Sequence, residues 1–228
     1  MKKLIIIYLI LILFIGCSSG PKIIREMVPI AGMSSKIDSN RITEEKEGVR
    51  ITVEYLNRDK LQKIAKENNP YTDSSGFPIL TTFKITIENT RDSKIKFEPE
   101  NAILLDGLGN QFNALTYEAF KELYPTSVYQ RYEYSFIFNR YYIDTYWTDD
   151  YKKRSKAVKS LFKGGYIYSG VKVEGIVPFQ QLSEYSREVT LILPDIILYE
   201  KAGGDEDLKE MKRIEFSFKF RQEIRRKD

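Results

Sequence analysis

Apolar and polar residues alternate one for one through several stretches of this chain. The clearest run sets Ile214, Phe216, Phe218 and Phe220 against Glu215, Ser217, Lys219 and Arg221. Successive side chains of a strand point to opposite faces, so this period predicts a strand with one face buried. The same period covers Val49–Tyr55. It recurs where Thr81, Phe83, Ile85 and Ile87 face one way and Thr82, Lys84, Thr86 and Glu88 the other. Val171, Val173, Gly175, Val177 and Phe179 repeat it against Lys172, Glu174 and Ile176. Val189–Leu193 reads as a strand that Ile196–Tyr199 continues past Pro194, and Ile95–Phe97 as a short one. Ala102–Leu105 and Gln111–Leu115 flank Asp106-Gly107-Leu108-Gly109-Asn110, a hairpin signal. About seven short strands with turns between them predict a mainly β protein, an antiparallel β-sandwich.

Helical spacing shows in three places. Asn57–Asn68 has a capping residue at Asn57 and Leu61, Ile64 and Ala65 on one face. Thr116–Tyr124 predicts a short helix ended by Pro125. Thr148–Phe162 predicts a longer one, with Thr148 as cap, Asp149 and Asp150 in its first turn and Gly164 past its end. Between these two, Val128–Ile143 carries both periods. Tyr132, Tyr134, Phe136 and Phe138 alternate, whereas Val128, Tyr132, Phe136 and Ile143 fit a helix, which is the preferred reading. The expected map is a sandwich domain over 48–228 with an aromatic-rich helical insert at about 116–168. That insert holds eleven of the sixteen tyrosines. Residues 17–47 mix Ser, Gly, Pro and charge and read as a tether of about 30 residues, spanning roughly 30 Å as a coil. The alternative is that Met27–Ile30 docks on the domain as an extra edge strand.

The start of the chain sets its address. Lys2 and Lys3 precede the apolar run Leu4–Ile15, followed by Gly16, Cys17 and Ser18. A charged segment, about a dozen apolar residues and a small residue make a secretory signal over residues 1–16. A transmembrane helix needs about 20 apolar residues. The segment Phe14-Ile15-Gly16-Cys17 resembles the lipobox of bacterial lipoproteins, departing from it at Phe14, where that family most often has Leu. The resemblance implies cleavage before Cys17, acyl chains on its sulfur and attachment to a membrane of the bacterial cell envelope. Ser18 after the cysteine, rather than Asp, implies the outer membrane in a cell that has one and otherwise the outer face of the plasma membrane.

Composition narrows the chemistry. Loss of the leader leaves 212 of 228 residues and lowers the net charge from +4 to +2. That is enough chain for a core and too little charge for a nucleic-acid partner. Cys17 is the one cysteine, so an acylated chain has no disulfide. The chain has no histidine, which excludes Ser-His-Asp and Cys-His catalysis and His-ligated metals. No cofactor or metal is expected. Asp205-Glu206-Asp207 lacks the spaced pattern of a calcium loop and reads as a solvated turn.

Further motifs carry a second resemblance. Phe83–Thr90 ends a strand in Asn89. Ile103-Leu104-Leu105-Asp106 continues to Gly109-Asn110-Gln111-Phe112, and Gly170 precedes Gly175-Ile176-Val177-Pro178-Phe179. Together they resemble an immunoglobulin-like domain of bacterial envelope lipoproteins, a family mostly without assigned function. The resemblance implies an immunoglobulin-like sandwich. It speaks to fold rather than to activity.

Two candidate surfaces follow. Arg131, Arg140, Tyr141, Tyr142, Tyr146 and Trp147 carry the residue types of interface hot spots, with an envelope protein as the expected partner. The alternative is that these tyrosines cap a small satellite core. Lys152, Lys153, Arg154, Lys156, Lys159 and Lys163 form a basic run suited to anionic headgroups, or simply a solvated face. Arg225-Arg226-Lys227 reads as a frayed tail. The expected function is a lipid-anchored, non-enzymatic envelope lipoprotein acting as a binding or assembly module. The alternatives are an envelope hydrolase of Ser-Lys type and a purely structural spacer.

Overall fold

The computed structural model describes residues 22–32, 34–64, 71–72, 78–122, 129–135, 140–146, 158–201 and 208–227. The strands in chain order are β1 (Lys22–Ile30), β2 (Lys36–Asp38), β3 (Arg41–Lys46), β4 (Val49–Tyr55), β5 (Leu80–Asn89), β6 (Ile95–Phe97), β7 (Ile103–Asp106) and β8 (Gln111–Asn113). They continue as β9 (Tyr129–Ser135), β10 (Arg140–Tyr146), β11 (Gly165–Ile167), β12 (Lys172–Gln180), β13 (Glu188–Lys201) and β14 (Leu208–Lys227). Two short helices, α1 (Arg58–Ile64) and α2 (Tyr117–Glu122), a 3-10 turn at Pro99–Asn101 and helical residues 158–160 complete the described elements.

Two antiparallel sheets form the body. Sheet I has the order β12-β5-β4-β3-β2, and sheet II the order β1-β14-β13-β6-β11 with β7 on β13 and β8 on β7. The alternating residues sit where their period puts them. Val49, Ile51 and Val53 are fully buried on β4, as are Phe83, Ile85 and Ile87 on β5 and Phe216, Phe218 and Phe220 on β14. The inner faces meet through Phe83, whose ring centroid lies 5.2 Å from that of Phe220 in the other sheet. One continuous apolar cluster thus fills the space between the sheets, as the sandwich reading requires. Pro194 has no N–H to give a ladder, and β13 absorbs it with a register shift between Leu193 and Ile196.

The helix caps behave as read. Asn57 Oδ1 accepts from the Lys60 N–H at 3.2 Å to open α1, and Thr116 Oγ1 accepts from the Ala119 N–H at 3.1 Å to open α2.

Three expectations are corrected. The tether over 17–47 contains three strands. The β1 strand pairs with β14 from Lys22↔Lys227 to Ile30↔Lys219, and β3 pairs with β4 from Arg41↔Glu54 to Lys46↔Val49. The docked edge strand weighed for Met27–Ile30 is real and begins at Lys22. Met27 is buried in the main core, which is where the energy of that docking lies.

The tail Arg225-Arg226-Lys227 is likewise strand, held by β1.

Last, the expected helical insert at about 116–168 contains strands. Tyr129–Ser135 and Arg140–Tyr146 pair in a two-stranded sheet of their own. The period of two wins there because the stretch is rich in aromatic residues, which favour strands and lower helix propensity. Residues 148–157 of the predicted helix Thr148–Phe162 lie outside the described residues. Its described part, Val158, Lys159 and Ser160, is helical as predicted, and the helix has ended by Leu161, which bridges Ile176 in parallel.

The motif residues of the immunoglobulin-like resemblance hold turns. Asp106 is only 6% exposed. Its Oδ1 accepts from the N–H groups of Leu108 at 3.0 Å and Asn110 at 2.8 Å. Its Oδ2 accepts from Asn110 Nδ2 at 2.9 Å and Ser186 Oγ at 2.8 Å. Burial alone would raise its pKa, but these bonds, the Asn110 side chain's first, hold the carboxyl below its ordinary value. Gly109 adopts φ +88° at the same turn, a conformation that favours glycine. At another turn Asn89 Nδ2 donates to the carbonyls of Ser93 at 2.9 Å and Ile167 at 3.0 Å. Its Oδ1 accepts from the Arg91 N–H at 3.1 Å.

Candidate binding cleft

The outer face of β12 is covered too. On this edge strand Ile176 and Pro178 are buried along with Val177 and Phe179, so apolar residues face both ways. A second apolar cluster lies against that outer side, joining Leu56, Leu61, Tyr71, Leu80, Phe120, Leu161 and Ile176. Helices α1 and α2 supply Leu61 and Phe120 to it. The Tyr71 ring lies 5.2 Å from Phe120, and burial pushes its phenol up to about 12 while Ser160 Oγ bonds it at 3.1 Å. A satellite core therefore exists, and both ends of the former insert, at Phe120 and Leu161, enter it.

Two glycines let segment 161–164 come close to β12 and to the turn after β6. The Phe162 N–H donates to the Ile176 carbonyl at 2.9 Å. A Cβ on Gly175 would lie 2.6 Å from the Phe162 nitrogen, so no other residue allows this approach without a shift. A Cβ on Gly164 would strike Glu98 and lie 2.9 Å from Pro99 Cδ, in the turn after β6. Phe162 then packs edge-on to Phe97 with centroids 5.3 Å apart. On the other side, the Leu115 N–H donates to the Pro178 carbonyl at 2.8 Å.

These elements enclose a cleft of about 750 Å³. Leu115, Val158, Leu161, Ile176 and Pro178 give it apolar walls. Glu98 and Glu100 supply acid, and Lys159 and Lys163 supply base. The volume is in the range of small-molecule sites, roughly 300–1,000 Å³, and apolar walls with a few charged groups suit a ligand with an apolar body and polar ends. Glu98 is engaged by Lys96 Nζ at 3.1 Å. That hydrogen bond raises the Lys96 pKa.

Of the sequence-predicted basic run, only Lys159 and Lys163 are described, and both line this cleft. Lys152, Lys153, Arg154 and Lys156 lie outside the described residues, as do Trp147, Asp205-Glu206-Asp207 and Cys17. The other partner-surface residues all fall on the β9–β10 hairpin. The register pairs Arg131 with Asp144, Arg140 with Ser135, Tyr141 with Tyr134, Tyr142 with Glu133 and Tyr146 with Tyr129. The serine hydroxyls of Ser93, Ser160 and Ser186 bond to the Tyr199 carbonyl, the Tyr71 phenol and the Asp106 carboxylate respectively. None of these partners is a lysine. Sequence reasoning missed Glu98 and Glu100. The signal within reach was Gly164 and Gly175, which mark close backbone approach, but nothing in the sequence says what approaches.

The chain matches no family model and no curated protein. Among solved structures it is similar to the ycdA lipoprotein candidate of Bacillus subtilis, at 11% identity and a TM-score of 0.34, over 77% of this chain and 37% of that one. It is also similar to the yjhA protein of Bacillus subtilis, at 11% identity and a TM-score of 0.28, over 75% of this chain and 69% of that one. The chain spans little more than a third of the first of these two, 37% of its length.

Proposed function

We propose that this is a lipid-anchored protein of the bacterial cell envelope, held by acyl chains on Cys17, whose immunoglobulin-like sandwich serves as a non-enzymatic binding or assembly module. One observation carries the reading. Cys17 ends an apolar leader, and only Ser18, Ser19, Gly20 and Pro21 separate it from Lys22, the first residue of a strand built into the sandwich. Among the described residues no helix is long and apolar enough to cross a membrane. The apolar cleft beside β12 is the module's ligand site, and the β9–β10 hairpin carries its protein-facing residues. In a cell with two membranes, Ser18 assigns it to the outer one.

The Cys17→Ala variant tests the anchor. It is expected in the soluble fraction or retained with its leader, while the native chain fractionates with membranes and shows acyl mass at its mature N-terminus. Unchanged membrane attachment of the variant contradicts the reading. A serine labelled by an acyl-transfer probe, with labelling lost on its replacement by alanine, would favour the hydrolase alternative instead.

A further inference from the structure

We infer that the cleft beside β12 binds a fatty acid, an unbranched aliphatic monocarboxylate, with its chain along the apolar walls and its carboxylate at Lys159 and Lys163. The inference rests on the reading of this cleft as the module's ligand site and names what that site takes.

The walls set the body of the ligand. Leu115, Val158, Leu161, Ile176 and Pro178 are all aliphatic. Two rings also line the space, Phe162 and Tyr117. Phe162 is only 6% exposed and has its ring against Phe97, which leaves Tyr117 as the exposed ring. A flat aromatic ligand gains from stacking on rings, whereas a methylene chain gains from aliphatic area alone.

The backbone at the cleft is closed to a peptide. A peptide that adds to a sheet edge draws on backbone groups left free there. The Ile176 carbonyl already accepts from the Phe162 N–H at 2.9 Å, and the Pro178 carbonyl from the Leu115 N–H at 2.8 Å. Pro178 itself has no N–H to offer. The occupant is therefore held by its apolar body and not by a backbone ladder.

Charge sets the head. The ionic side chains lining the cleft are Glu98, Glu100, Lys159 and Lys163. Lys96 Nζ meets Glu98 at 3.1 Å and neutralises it. Among the described residues Lys159, Lys163 and Glu100 have no ion-pair partner. All three are exposed, so their charges stand at the mouth of the cleft. Two cations against one carboxylate leave an excess of one positive charge. A single negative group matches that excess, and Glu100 opposes a second. A fatty acid supplies one chain for the walls and one charge for the mouth, with no further head to place.

The test is isothermal titration of the mature, acylated protein in phosphatidylcholine nanodiscs, with protein-free nanodiscs as the blank. The probes are octanoate, decanoate and decyltrimethylammonium. Each buried methylene adds about fourfold, so decanoate should bind about fifteenfold tighter than octanoate. Decyltrimethylammonium, with the same chain and the opposite charge, should bind about tenfold more weakly than decanoate. Replacing Lys159 and Lys163 together by Gln should weaken decanoate about tenfold and remove its advantage over the cation. Val158→Trp, a ring added at a half-buried wall position, should abolish decanoate binding with the far-UV spectrum unchanged. Equal binding of decanoate and decyltrimethylammonium, both lost in Val158→Trp, overturns the fatty-acid assignment and leaves the cleft as a ligand site. Tighter binding of decanoyl lysophosphatidylglycerol than of decanoate overturns the carboxylate head in the same way. No decanoate binding beyond the blank overturns the inference. Decanoate binding that Val158→Trp leaves unchanged puts the ligand elsewhere and overturns the cleft reading together with the inference.

Discussion

Strand β14 joins two regions of opposite character. From Ile214 to Phe220 it runs beside β13 and buries every second residue, with Phe216, Phe218 and Phe220 fully enclosed. At Gln222, whose N–H donates to the Arg187 carbonyl at 2.8 Å, the strand's pairing with β13 has ended, and from there to Lys227 its strand partner is β1. The first half is specified by what it packs against. The second half is specified by a partner about two hundred residues away, β1. One strand thus shows two sources of order in the molecule: alternation against a core builds the body, and long-range backbone pairing holds the margin.

The contrast can be broken at its strong end. Phe218→Ala removes a fully buried ring from the main cluster, and we expect it to cost about 3–5 kcal/mol in urea unfolding. A near-neutral result would mean that the inward face is wrongly assigned.

Asp106→Ala leaves four donors around the turn without their acceptor. The expected cost is about 2–3 kcal/mol at neutral pH. Its pH dependence has a defined sign. Because the folded carboxyl lies below its ordinary value of 3.8, its stabilisation is complete above that pH. It is lost as the pH falls through the lower folded value. The stability gap between the native chain and Asp106→Asn should therefore close only below pH 3.8.

Gly175→Ala drives a methyl group against the Phe162 backbone, with an expected cost of about 1–3 kcal/mol and a changed cleft beside β12. Stability as in the native chain would show that segment 161–164 does not come close to β12 as described.

The sandwich was legible because its strands have one wet face and one dry one. In Val49–Tyr55 and Ile214–Phe220 the period of two is also the burial period. The Asp106 hairpin was legible from its turn residues. The outer side of β12 was not, since Ile176 is buried by a segment whose approach depends on Gly175 across the fold. Lys22–Ile30 has an irregular pattern because β1 is an edge strand, and only its distant partner makes it a strand. The same long-range pairing makes a strand of the presumed tail, Arg225-Arg226-Lys227. At Tyr129–Tyr146 two periods overlapped in an aromatic stretch, and pairing decided between them. As for the sites, Lys159 and Lys163 were singled out for lipid contact, and the structure places them on a cleft with Glu98 and Glu100.

The account depends most on how far the sandwich stands from the bilayer. Neutron reflectometry of the acylated protein on a supported anionic bilayer measures that distance directly. Protein density beginning within about 18 Å of the headgroup layer is the result expected from the reach between Cys17 and Lys22. A water layer of roughly 30 Å between headgroups and protein, the span of a free tether, would contradict it.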